Sequence, residues 1–237
     1  RDLVRSRGLG DVYKRQVTIG SRSPEKVISK IGEIDNDLDI QNLKVQEIGQ
    51  TARESELIFL TVPFSAHHKT ISEIKPFVQG KIVVDTTVPL VPPKVARVQL
   101  PDSGCVARMT QEILGNDVHV VSALHNVAAT ALAKSETPDG EVMVFGNNKE
   151  ARETVIQLIS KISLKGWHCG SIDNAVVAES LTPVLIFMNK FYNFKGSGIK
   201  IGDKNKIFEP KFTTKSGGMG LGLGLSLIHI SEPTRPY

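Results

Sequence analysis

From Val17 onward, short apolar runs alternate with longer amphipathic stretches, and this alternation favours an α/β sheet with right-handed crossovers over an all-α or all-β fold. The expected order is a strand end at 17–19, then a helix from Pro24 to about Ile31 capped by Ser23. A strand at 44–48, a brief helix at 51–55, a buried strand at 56–62, a helix at 65–77 and a strand at 81–85 follow. Pro89, Pro92 and Pro93 enforce a loop before a helix at 107–114 and a strand at 118–124. Beyond Thr130 come a strand at 141–145, a helix at 149–162 and a strand at 166–170. A largely apolar helix at 174–191, with Pro183 expected to kink it, packs on the sheet or on a second subunit.

The two ends of the chain belong together at the coding level. Codons for Gln16 back to Val4 can be chosen whose complementary strand spells Leu225 to Tyr237. Such an inverted terminal repeat looks like translated sequencing adapter, so residues 1–16 and 225–237 are set aside as non-native. Residues 1–16 carry +3 of the chain's +4 net charge, which leaves no basic face to suggest nucleic acid as a partner. No apolar run approaches the roughly 20 residues of a membrane span. Cys105 and Cys169 lie far apart without metal-type or disulfide-type spacing, so a reducing cytoplasm is the expected setting.

In an open parallel sheet, ligands lie at the carboxyl ends of the strands. The residues after the strands are Gly20-Ser21-Arg22-Ser23, Val62-Pro63-Phe64, Asp85-Thr86-Thr87 and His125 to Ala129. At the position that reads the adenosine ribose, a carboxylate would select NAD, whereas Ser21, Arg22 and Lys26 suit the extra phosphate of NADP(H). The alternative is that Ser23 only caps a helix while Arg22 and Lys26 are solvated surface. Gly8-Leu9-Gly10 follows no apolar strand and lies in the repeated terminus, so it is assigned no function.

Five blocks in order, Val17 to Lys26, Leu60 to Pro63, Lys81 to Asp85, Val121 to Asn126 and Glu179 to Pro183, resemble the NADPH-dependent coenzyme F420 reductases over about 17–201. The resemblance implies reversible hydride transfer between NADP(H) and the deazaflavin coenzyme F420, both small-molecule cofactors acting as substrates, in a homodimer. It implies a Rossmann-like doubly wound parallel sheet, here lacking its first strand and Gly-rich turn, with a small, mostly helical C-terminal domain. The corresponding division is 17–130 for NADP binding and 131–201 for F420 binding and dimerisation. By the same resemblance Ser21, Arg22 and Lys26 bind the 2′-phosphate, and Val62 and Pro63 line the nicotinamide side. His125, Asn126, Val127, Ala128 and Ala129 approach the deazaflavin, and Leu181, Thr182 and Pro183 close its other side.

No catalytic acid or base and no metal is expected, because the cofactors carry the hydride. His125 could instead be a satisfied histidine at a strand end, and Leu181 to Pro183 ordinary core around a kink. His67 and His68 are read as surface residues, His119 as structural, and His168 with Cys169 as lacking partners for a metal. The missing strand and turn lead to the expectation of impaired NADPH binding. Residues 203–223 resemble the ATP lid of sensor histidine kinases, so 202–224 is read as a foreign Gly-rich tail. Two other functions fit the residues less fully: another NADP-dependent two-domain reductase of the imine or ferric type, and a non-catalytic NADP-binding redox regulator.

Overall fold

The structure is a computed structural model that describes residues 17–34, 43–127, 132 and 141–193. The terminal segments 1–16 and 202–237, as well as Ala128 and Ala129, lie outside the described residues.

Two groups of strands frame the fold. Strand β1 (Thr18–Gly20) pairs in parallel with β2 (Lys44–Gln46), with Ile19 opposite Val45. The second group has β3 (Leu57–Leu60), β4 (Ile82–Asp85), β5 (His119–Ser122), β6 (Glu141–Gly146) and β7 (Lys165–His168) side by side in that order. The first three run parallel, β6 is antiparallel to β5, and β7 is parallel to β6. The sheet therefore continues across residue 130. Among the described residues no strand joins β1 to β3, which is where a Rossmann order places its first strand.

Adjacent residues of the central strands enter opposite cores, as the two-residue period of a strand requires. Val83, Val120 and Phe145 pack with Ile71, Ile74, Leu114 and Ala178 on one face. Val84, Val121 and Val144 pack with Ala151, Val155 and Ile159 on the other. The first layer comes from α3 (Phe64–Ile74), α4 (Val106–Leu114) and the start of α6 (Ala175–Phe191), and the second from α5 (Lys149–Lys161). Helices α1 (Pro24–Ile34) and α2 (Ile48–Glu54) follow β1 and β2.

Local chemistry accounts for the ends of these elements. Asn148 caps α5, its Oδ1 accepting the Ala151 N–H at 2.8 Å. Pro63 precedes α3 in extended conformation, which starts that helix at Phe64 immediately after the β3 turn. Helix α6 continues through Pro183 and buries only one stripe, Ala175, Ala178, Glu179 and Pro183. Its apolar residues Val177, Val184, Phe187 and Phe191 are exposed, so the sheet accounts for one side of this helix only.

Candidate functional site

The carboxyl ends of β3, β4 and β5 open into one cavity of about 620 Å³. Thr61 to Phe64 line it after β3, Thr86 to Val88 and Leu90 after β4, and Leu124, His125 and Val127 after β5. Val17 to Gly20 of the β1 segment form another wall, and Leu158, Ile159 and Ile162 of the α5 region a third. A largely apolar cleft with a few polar groups at strand ends is the usual form of a cofactor site in such a sheet.

His125 is the central polar group. Leu124 before it has φ 69°, a left-handed conformation that costs an L-residue about 1–2 kcal/mol. That turn takes the chain sharply off β5 and leaves the imidazole buried in the cavity wall. Neither ring nitrogen meets a partner in hydrogen-bond geometry, although the Thr87 backbone lies close enough to favour a protonated ring. Burial outweighs that backbone and the Asp85 charge and brings His125 down to about 4, so the ring is neutral at pH 7. A buried neutral ring can offer one N–H and one lone pair, and both await a partner. The Thr87 hydroxyl, at the end of β4, is likewise buried and unpartnered.

Of the other residues expected in the site, Val62, Pro63 and Val127 line the same cavity. Ser21 lies just beyond Gly20 of the cavity wall, and its hydroxyl accepts the Ser23 N–H at 3.0 Å. Arg22 and Lys26 are exposed on the first turn after β1. Asn126 is buried, but its amide donates to the Glu141 carbonyl at 2.5 Å and points toward β6. Leu181, Thr182 and Pro183 stand on α6 outside the cavity lining. Thr182 Oγ1 is nevertheless 2.9 Å from the His125 carbonyl, linking that helix to the β5 loop.

One expectation is corrected. His67 is fully buried, not a surface residue, while His68 is exposed. His67 shares the stripe of Thr70, Ile71 and Ile74 at helical spacing, which turns it to the sheet. Its Nε2 is 2.8 Å from Asp85 Oδ2, which also accepts the Thr110 hydroxyl at 2.6 Å. Asp85 Oδ1 accepts the Thr87 N–H at 2.9 Å. Burial opposes ionisation of Asp85, yet these donors prevail and hold its carboxyl below the usual range. The network fixes the turn through which Thr86 and Thr87 enter the cavity.

These features define a Rossmann-like α/β fold whose cleft lies at the strand ends. The profile of the family NADP oxidoreductase, coenzyme F420-dependent, matches residues 2–89. That match includes residues 2–16, which were set aside above as non-native. The F420-dependent NADP reductase of Methanocaldococcus jannaschii is 33% identical over 195 residues, covering 78% of this chain and 87% of that protein. Its namesake in Methanothermobacter marburgensis is 30% identical over 194 residues, with 78% and 87% covered. The chain belongs to the coenzyme F420-dependent NADP oxidoreductase family. Among solved structures, an F420-dependent NADP-reductase assignment from Arthrobacter sp. FB24 superposes with TM-score 0.69 at 20% identity, covering 84% of this chain and 94% of that one. Streptomyces aurantiacus imine reductase gives TM-score 0.51 at 15% identity over 80% of this chain and 59% of its own. Both of these likenesses speak to fold alone.

Proposed function

We propose that this chain transfers a hydride reversibly between NADP(H) and coenzyme F420, with NADPH held weakly because no described strand joins β1 to β3, and with residues 17–130 holding the nicotinamide cofactor and 131–201 contributing to the F420 side. The observation that carries the reading is His125, a buried neutral imidazole with two unpartnered nitrogens in a largely apolar cleft of about 620 Å³. The cofactors supply the hydride chemistry, so the chain needs to hold two ring faces close and keep water out. Val62, Pro63 and Phe64 are suited to the nicotinamide side. His125 and Val127, with Ala128 and Ala129 outside the described residues, are suited to the deazaflavin side. No group in the cleft has to move a proton. An absorbance assay of F420 reduction by NADPH tests the reading, and NADPH binding without deazaflavin binding would favour the imine-type reductase or the regulator.

Ser21, Arg22 and Lys26 are the groups that distinguish NADP from NAD in this reading. Arg22→Ala is expected to weaken NADPH binding about ten- to hundred-fold, the value of a lost charge-assisted bond, with NADH affinity nearly unchanged. Nicotinamide fluorescence titration measures both, and equal loss for the two cofactors would remove Arg22 from the phosphate site.

The bare face of α6 is assigned to a second copy of the chain. Phe187 and Phe191 stack at 5.7 Å between centroids and are 51% and 68% exposed, on a helix with Val177 and Val184 also bare. A patch of this kind on an isolated protomer marks an interface. Phe187→Glu with Phe191→Glu is expected to give monomers in light scattering after size exclusion, where the unaltered chain gives dimers. No described helix is long and apolar enough to cross a membrane, and the free cysteines fit a cytoplasmic setting. Nucleic acid has no part in the reading.

A further inference from the structure

Helix α4 lacks a cap of its own. Cys105 at its N-cap position makes no side-chain bond to the first turn, and its Sγ faces the Ile172 carbonyl at 3.8 Å. The open amides of Val106 and Ala107 instead donate to Glu179 Oε2 and Oε1, at 2.7 and 3.0 Å. Glu179 sits on α6, far along the chain, and is 1% exposed. The positive end of a helix favours an anion there. Burial still dominates and pushes its carboxyl up to about 7, against the pull of the two amides.

A buried carboxylate is an inefficient source of stability, since an apolar side chain of similar volume often serves as well. Two directional bonds from one carboxylate do fix something an apolar contact leaves loose: the rotation and register of α6 on α4. One turn beyond Glu179, the Thr182 hydroxyl lies 2.9 Å from the His125 carbonyl and equally close to the Ala178 carbonyl of its own helix, so its single proton is shared between the two. At the other end of the connection, Thr110 of α4 donates to Asp85, from which Thr86 and Thr87 lead into the cavity. Glu179 thus links the helix bearing Leu181 to Pro183 with the strand end that forms the cavity floor.

We propose that Glu179 is a positioning residue for the F420 side of the site, holding α6 on α4 so that Thr182 meets His125 and the deazaflavin wall keeps its place. The inference rests on the reading of the cleft as an F420 site.

The test uses the full chain with Glu179→Gln, which leaves one acceptor for two donors, and Glu179→Met, which packs without charge. The expected result is an F420 dissociation constant raised about ten-fold or more in both variants, by deazaflavin fluorescence at pH 8 where Glu179 is ionised, from the loss of a charge-assisted bond. NADPH affinity should stay within about two-fold, and Glu179→Met should melt no lower than the unaltered chain. Amide exchange at Val106 and Ala107 should quicken in both variants while the buried turns of α5 stay protected. Unchanged F420 affinity overturns the inference, and so does equal weakening of both cofactors, which would mark a general loss of structure. An unaltered chain that binds NADPH but not F420 overturns the reading of the cleft, and the inference falls with it.

Discussion

Asp85→Ala is expected to lower unfolding stability by about 2–5 kcal/mol, at roughly 1–3 kcal/mol for each buried donor left without its acceptor. The loss has three parts. His67 Nε2 loses its acceptor at 2.8 Å, the Thr110 hydroxyl its acceptor at 2.6 Å and the Thr87 N–H its acceptor at 2.9 Å. All three residues are buried, and Thr110 keeps only its 3.0 Å bond to the Val106 carbonyl and the neighbouring His67 ring. Asp85→Asn should lose less, because its amide oxygen can still accept the Thr87 N–H. Urea denaturation measures both variants, and an alanine variant within about 1 kcal/mol of the unaltered chain would show that the network is not a stabilising element. Because Thr86 and Thr87 follow directly, the same change should also loosen the cavity floor.

The sequence was informative where local periodicity decides structure. Val83-Val84 and Val120-Val121 announce strands covered on both faces, and each pair does divide between the two cores. The residues after β3, β4 and β5 could be picked out because the fold brings the ends of parallel strands together, and Val62, Pro63, His125 and Val127 do line one cleft. Direction was less legible. The sequence marks 141–145 as a strand, but not that it runs antiparallel to β5 and extends the same sheet.

Polar groups inside helices were the least legible. His67 could have been found, since it lies one turn before Ile71 on the stripe that ends at Ile74, whereas the adjacent His68 is off that stripe. Glu179 gave a weaker signal: a lone carboxylate in an apolar helix must be paired, but its partners are backbone amides of another helix and no spacing reveals them. The same limit applies to α6. Its apolar surface implied burial, yet a single chain covers only the stripe around Ala178 and Pro183. The phosphate-binding role proposed for Arg22 and Lys26 was read from charge alone, and among the described residues both side chains are simply exposed.

Between about pH 6.5 and 4.5 the chain's stability should be nearly flat, because two buried groups pull it in opposite directions. His125 is lowered from 6.5 to about 4, so the unfolded chain binds its proton first. Its contribution is fully present above pH 6.5 and is lost as pH falls toward 4, on the order of 3 kcal/mol in all. Glu179 is raised from 4.5 to about 7, so here the folded chain binds the proton first. Its contribution is fully present below pH 4.5 and is lost as pH rises through 7, a change of similar order, roughly 3 kcal/mol. Removing either group should expose the slope of the other. In His125→Leu, urea midpoints should rise on acidification from pH 6.5 to 4.5, and in Glu179→Gln they should fall across the same interval. Asp85, with its carboxyl held low, is ionised in both states throughout this window and leaves the comparison undisturbed. Parallel pH profiles for the three proteins would mean that neither group is buried as the structure has it. Opposite slopes would place a neutral imidazole at the cleft wall, ready to take a hydrogen-bond partner from the ring that enters.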